Sequence, residues 1–139
     1  MSSEAAIFKI LTSDYAVAAA VGARIYPGDG TALPQVPTYP AVSFHITSAT
    51  ANPTLSGAST IDSDGFQVDV WASSYLSASA VGETIRRALE AYRGTIAGED
   101  IQQIRFLNKM DLAEDNPNEP RIWRRSLDFD VTYTRLNTP

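Results

Sequence analysis

The hydrophobic pattern changes its period in the middle of the chain. Between Phe66 and Val70, apolar and polar residues alternate, which is the two-residue repeat of a half-buried strand. The next segment places apolar residues three or four positions apart, which is typical of an amphipathic helix. Ser73 or Ser74 can cap its first turn, and Gly94 is expected to end it in a left-handed conformation. A strand followed by a helix is therefore the central unit of the predicted fold.

Two short helices and two strands are predicted before this unit. Asp14 is a suitable cap for the second helix, and Gly22 closes it. Four prolines between the two strands indicate a loop, because proline lacks the amide hydrogen and restricts the residue before it. The predicted elements are helices at 4–11 and 15–21, strands at 24–26 and 42–46, and a loop at 27–40.

The segment 47–60 (TSATANPTLSGAST) is small, polar and without a repeat. A long segment of this kind inside a compact domain is most often a functional or mobile loop. The alternative is one arm of a long, weakly patterned hairpin. The sequence leaves both interpretations open.

The C-terminal part of the chain contains the clearest strand. Residues 95–98 form a turn or a minimal strand, 101–108 a strand, 111–120 an acidic loop, and 121–135 the closing strand. Arg125 interrupts the apolar face of the closing strand, which otherwise consists of Trp123, Leu127, Phe129, Val131 and Tyr133. The order of elements predicts an α+β fold with two layers. We expect a single domain over residues 1–139, with a mostly antiparallel or mixed sheet of four to five strands and helices packed on one face.

Composition excludes several classes of protein. With 139 residues, 44% hydrophobic and 19% charged, the chain is expected to be globular. No apolar run approaches the roughly 20 residues that span a bilayer, and the N-terminus does not resemble an export signal. The absence of cysteine excludes disulfides and thiolate chemistry. A net charge of −5 argues against a protein that binds nucleic acid tightly.

Candidate chemistry is sparse. His45 is the only histidine, which is a thin basis for a metal site or for general-base catalysis. Asp62 and Asp64 share one strand face, but the remaining ligands of a calcium loop are missing, so a solvated strand edge is favoured. Neither a phosphate-binding glycine motif nor a nucleophile elbow is present. We therefore expect no enzyme, no catalytic residue, no metal and no cofactor.

The residues best suited to a function are those of an interface. Trp71 lies on the second face of its strand and must be covered, either by a second core within the chain or by another subunit. Tryptophan and arginine are enriched at protein interfaces. The arginines of the closing strand are expected to form ion pairs with neighbours or partners. The candidate subunit or neighbour-ring interface consists of Arg124, Arg125, Asp128, Asp130, Trp71, Asn52 and Leu55.

Several short sequence motifs, in this order along the chain, resemble those of one known family. They are Val21-Gly22 with Arg24-Ile25-Tyr26-Pro27, then Tyr39-Pro40, Val68-Asp69-Val70-Trp71-Ala72, Tyr92-Arg93-Gly94 and Arg124-Arg125-Ser126-Leu127-Asp128-Phe129. The chain resembles the tail completion, or tail terminator, proteins of long-tailed bacteriophages, which also occur in gene transfer agents and prophages. The resemblance depends on the order and spacing of these motifs, since each motif alone recurs by chance.

The resemblance implies a structural virion assembly protein of the tail, assembled in the host cytoplasm. Six copies would form a ring that caps the tail-tube protein, stops its polymerisation and presents a joining surface to the head connector or stopper protein. DNA would only pass through the bore, without sequence-specific binding, and no membrane would be involved. The alternative is a small-molecule-binding regulatory domain using His45, Arg105 or the 27–40 loop. A third, weaker alternative is a metal-dependent hydrolase using Asp62 and Asp64.

Overall fold

The computed structural model describes residues 4–28, 38–53, 60–116 and 119–135. Within these ranges the chain forms three helices and six strands. The helices are α1 (Glu4–Ser13), α2 (Tyr15–Val21) and α3 (Tyr75–Glu90). The strands are β1 (Ile25–Pro27), β2 (Ala41–Pro53), β3 (Thr60–Ala72), β4 (Gly94–Ile96), β5 (Glu99–Asn116) and β6 (Glu119–Arg135).

All described strands belong to one sheet, in the order β1-β2-β3-β6-β5-β4. β1 pairs with β2 in parallel, and every other pair is antiparallel. The predicted α+β class and the mostly antiparallel sheet are confirmed. The sheet has six strands where four to five were predicted, because the segment after α3, predicted as a turn or a minimal strand, forms the short strand β4.

Side-chain caps define the helix starts. The Asp14 carboxylate accepts a hydrogen bond from the Val17 amide at 3.0 Å, and the Ser74 hydroxyl accepts one from the Ser77 amide at 3.1 Å. Both predicted caps are therefore confirmed. The predicted stop at Gly94 is wrong, because α3 ends at Glu90 and Gly94, with φ of +131°, begins β4. Its positive φ serves the entry into a strand instead of a helix end.

The hydrophobic core lies between the helices and one face of the sheet. Phe66 stacks on Phe129 with ring centroids 5.2 Å apart, and Phe106 meets Phe129 edge-on at 5.6 Å. α3 contributes the fully buried Ile85 and Leu89. The apolar face predicted for the closing strand is confirmed by the burial of Leu127, Phe129, Val131 and Tyr133.

Two long hairpins form the centre of the sheet. β2 extends to Pro53 opposite Thr60 of β3, so residues 47–53 are a hairpin arm and not a loop. β5 continues to Asn116 opposite Glu119 of β6, so the predicted acidic loop is wrong over residues 111–116 and 119–120, which lie in strands, while 117–118 lie outside the described residues. Hydrogen bonds between backbone groups stabilise both hairpin arms. Where the side chains of a strand are exposed to water, this pairing does not require apolar and polar residues to alternate.

The two hairpins connect at opposite ends of the sheet. The β2–β3 connection follows Pro53, at the end where β6 stops pairing with β3. The β5–β6 connection follows Asn116, past the point where Trp123 pairs with Ala72, the last residue of β3. The β5–β6 hairpin therefore projects beyond β3 by about four residues, or roughly 14 Å at ~3.4 Å per residue.

Candidate functional site: the outer face of the sheet

One face of the sheet is turned away from the helices. Strand side chains alternate between faces, so the residues between the core positions of β3 lie on this second face. The strand register then places Ser126 of β6 beside Asp69, and Arg124 beside Trp71. We call this surface the outer face; its members are Ser43, His45, Ser48, Gln67, Asp69, Trp71, Arg105, Asn108, Met110, Leu112, Arg124, Ser126, Asp128 and Asp130.

A buried carboxylate organises the centre of the outer face. The Asp69 carboxylate accepts hydrogen bonds from the Ser126 hydroxyl at 2.6 Å and from the Gln67 amide at 2.8 Å. Its other oxygen accepts from Arg124 Nη2 at 3.0 Å. Asp69 is fully buried, and a buried charge needs paired charge and hydrogen bonds to be stable. This network therefore fixes Arg124 in a single position on the face.

Trp71 packs beside the same arginine. The Arg124 guanidinium carbon lies 4.8 Å from the Trp71 ring centroid, which is within the range of a cation–π contact. The Trp71 indole donates a hydrogen bond to the Ser43 hydroxyl at 3.2 Å. Trp71 is half-buried and lies outside the hydrophobic core that the described residues form.

Apolar side chains extend the Trp71–Arg124 row to the edge strand. Leu112 of β5 is opposite Arg124, and Met110 is opposite Ser126. Their exposed fractions are 40% for Leu112 and 55% for Met110. The outer face therefore combines an ordered polar centre with an apolar margin, and its Trp, Met and Arg side chains are types enriched at protein interfaces.

Arg125 differs from the other predicted interface residues, because it lies on the core side and is only 4% exposed. Its Nε and Nη2 donate to the two Asp111 oxygens at 2.7 and 3.0 Å. Further hydrogen bonds reach Ser79 and Tyr75 of α3. The bond to Asp111 raises the pKa of Arg125, while burial opposes this shift. Its structural role in the described chain is to join the β5–β6 hairpin to α3.

The remaining predicted interface residues are only partly placed. Asp130 pairs with Arg105 of β5 at 2.7 Å, and Asp128 is half-buried on the outer face. Asn52 lies in β2 opposite Ile61, but its side chain, like all of Leu55, lies outside the described residues. The structure thus brings Trp71, Arg124, Asp128 and Asp130 together on one face, and separates Arg125 from them.

The prediction that Asp62 and Asp64 form a solvated strand edge is wrong. They are only 8% and 2% exposed, because they lie on the helix-covered side of β3 near Tyr133. The Tyr133 hydroxyl donates to the Asp64 carboxylate at 3.0 Å. Burial, and then this hydrogen bond, raise the pKa of Tyr133 above its usual value.

Other chemistry would require a metal site or a ligand pocket. Within the described ranges, no group of three or more His, Asp or Glu side chains could hold a metal ion. A cavity of about 330 Å³ lies between α2 and α3, and none of the residues proposed for a ligand pocket lines it. No helix in the part of the chain that the structure describes is long and apolar enough to cross a membrane.

Comparison with known proteins identifies the chain first as a structural component of phage-type virion tails. The family model of tail completion protein gp17 matches residues 5–134, so the chain belongs to that family. The resemblance read from the sequence is thereby confirmed. A chain in a structure described as "Virion of native gene transfer agent (GTA) particle" has the same fold, with a TM-score of 0.69 and 18% identity over 92% of this chain and 91% of that one. No match was found among curated proteins.

Proposed function

We propose that the protein is a ring-forming tail terminator. It caps the completed tail tube, stops further addition of tube subunits and provides the surface to which the head connector or stopper protein joins. The observation that carries this proposal is the family match, which extends over residues 5–134. The role requires shaped surfaces and no bond-making chemistry.

The sheet supports this role by offering contacts at both ends. The β2–β3 hairpin closes at one end of the sheet and the β5–β6 hairpin at the other. In a ring whose axis runs roughly along the strands, one end of the sheet faces the tube and the other faces the connector. A terminator needs these two distinct surfaces, because it binds different partners above and below.

Charge supports passage of DNA without capture. A subunit with a net charge of −5 repels the phosphate backbone on average, and phosphate neutralisation dominates most binding to DNA. The outer face also neutralises its own arginines, since Arg124 pairs with Asp69 and Arg105 pairs with Asp130. The arginines of the outer face are therefore already paired and contribute little to binding of DNA phosphates.

Sedimentation velocity of the purified protein, alone and with tail-tube protein, tests the oligomer. We expect a closed ring in the presence of the tube, and a strict monomer under both conditions would contradict the proposal. Removal of the gene product during virion assembly tests the role. Tails should then vary in length and fail to join heads, whereas normal tails on filled heads would reject a terminator.

A further inference from the structure

The sheet has a long open edge on β5. β4 covers only the first three residues of β5, where Gly94 pairs with Ile101. Beyond Ile101, no strand in the described ranges pairs with the outer side of β5. The backbone groups on that side are therefore available to another strand.

Irregularities divide this edge into segments. The register shifts between Ile101 and Gln103, between Phe106 and Asn108, and again after Glu114. Bulges interrupt edge pairing, so they confine a regular partner to the stretch 108–114. This stretch is the part of the edge most suited to binding a strand.

The same stretch, together with Leu107 immediately before it, carries exposed apolar side chains. Leu107, Met110 and Leu112 are 49%, 55% and 40% exposed. A long exposed apolar edge favours aggregation, and natural proteins usually pair it, cover it or charge it. Lys109 is the one basic residue from 107 to 113, so charge protects this edge only weakly. The edge has the properties of a strand that is paired in the assembled state.

A second open edge lies on the opposite side of the sheet. β1 pairs with β2 only from Val42 to Phe44, and no strand in the described part of the chain pairs with the outer side of β2 beyond that point. β2 and β5 are the outermost long strands, and the three antiparallel pairings between them make them run in opposite directions.

These directions are suited to a ring. A rotation about the ring axis leaves the direction of each strand along that axis unchanged, so β5 of one copy meets β2 of the next copy in antiparallel orientation. Across the sheet Asn108 lies level with His45, so the 108–114 segment reaches β2 beyond Phe44 of the next copy when the strands are inclined to the ring axis and neighbouring edges are staggered, as in a closed barrel. Such a contact joins two different surfaces head to tail, and it closes into a ring when the rotation closes. It also repeats the antiparallel pairing of β2–β3, β3–β6 and β6–β5.

We propose that neighbouring copies of this chain join edge to edge, with the 108–114 segment of β5 paired to the β2 edge beyond Phe44 of the next copy. This inference rests on the proposed ring. The occupant is a second copy because the chain itself carries the complementary edge with the required direction. Self-pairing of two β5 edges would instead give an isolated two-fold dimer, which cannot grow into a ring.

Cross-linking tests this contact directly, because the chain contains no cysteine. Ser48→Cys places a thiol on the exposed β2 edge, on the outer face beside Gly65. It is combined in turn with Asn108→Cys, Met110→Cys or Leu112→Cys on β5. A short bis-maleimide then reaches both direct and diagonal cross-strand neighbours, which are roughly 5 to 8 Å apart.

At least one double variant should give a ladder of covalent oligomers that ends at the ring size. Each single-cysteine variant should stay monomeric on a denaturing gel. The matched control combines Ser48→Cys with Glu83→Cys on the exposed side of α3 and should give no ladder. Dimers from the single β5 variants, at the yield of the double variants, would overturn the proposal in favour of two-fold pairing.

Wild-type sedimentation, measured in parallel, separates this inference from the proposed function. Rings without any ladder would reject edge pairing and retain the terminator role. A ladder from a protein that never associates with tail tubes would retain edge pairing and reject the role. Absence of both rings and ladders would reject both.

Discussion

At the scale of single residues, Asp69 is the group on which the outer face depends most. Asp69→Ala removes the acceptor of three hydrogen bonds and leaves Arg124 without its buried counter-charge. Breaking a buried pair costs roughly 3–5 kcal/mol, and the partial exposure of Arg124 reduces this to about 3 kcal/mol. Urea unfolding at neutral pH measures the loss.

Asp128→Ala is the matched control, because it removes a half-buried carboxylate from the same face and leaves the Arg124 contact intact. It should cost less than about 1 kcal/mol. Equal losses in the two variants would show that the Asp69 network contributes nothing specific.

Tyr133 gives the fold a dependence on alkaline pH. Its pKa is raised in the folded state, chiefly by burial and then by the hydrogen bond to Asp64. Above pH ~10, the ordinary tyrosine pKa, the unfolded chain loses the phenolic proton while the folded chain keeps it. The stabilisation from this group is therefore complete below pH ~10 and is lost as the pH rises further.

Tyr133→Phe should cost about 1–2 kcal/mol at pH 8, because Asp64 loses a donor. This cost should shrink between pH 10 and 11, since wild type is destabilised there and the variant lacks the responsible group. Unfolding free energies across this pH range, with the exposed Tyr15→Phe as control for a lost phenol, provide the measurement. A cost that stays constant with pH would contradict the assignment.

Residue types on the outer face were predictable, but their partners were not. The two-residue period places Trp71, Arg124 and Asp130 on one face from the sequence alone. The pairing of Arg124 with Asp69 depends on the β3–β6 register, which joins positions 55 residues apart. A single sequence contains no measure of that register.

At the scale of elements, α3 and the β5–β6 hairpin are joined where Arg125 passes under Gly82. A Cβ on Gly82 would lie 2.9 Å from Arg125 Cδ, and the guanidinium of that arginine is fixed by Asp111. Alanine normally stabilises a helix interior by about 1 kcal/mol relative to glycine. Here overpacking should reverse the sign, so Gly82→Ala should destabilise the protein by about 1–2 kcal/mol.

A double-mutant cycle isolates this contact. In an Arg125→Ala background the obstruction is gone, so Gly82→Ala should become stabilising by about 0.5–1 kcal/mol. Unfolding free energies of the four proteins provide the test. A stabilising Gly82→Ala in the wild-type background would show that the helix and strand adjust without cost.

Elements were predictable wherever one side is buried. Alternation identified the centre of β3 and most of β6, and the helical period identified α3, because in each case the core imposes a repeat. The outer arm of β2 and the end of β5 have no such repeat: Thr47, Ser48 and residues 107–113 are exposed. Their strand structure comes from backbone pairing within hairpins, which leaves little trace in the pattern of side chains.

At the scale of the whole molecule, the sheet separates stability from assembly. The helix-covered face holds the hydrophobic core, and we propose that the outer face and the two open edges hold the surfaces for partners. Substitutions on these exposed positions should therefore change association with little effect on folding. The β5 edge offers the clearest case, since its apolar side chains contribute area that only a partner would cover.

Met110→Lys combined with Leu112→Lys should prevent ring formation while leaving the monomer folded. Both side chains are substantially exposed, so the unfolding free energy should fall by no more than about 1 kcal/mol in total. Two charges on the edge oppose strand addition. Sedimentation with tail-tube protein should show monomer, whereas Tyr15→Lys, at a more exposed and distant position on α2, should still form rings. Rings of normal size from the double variant would show that subunits join through another surface.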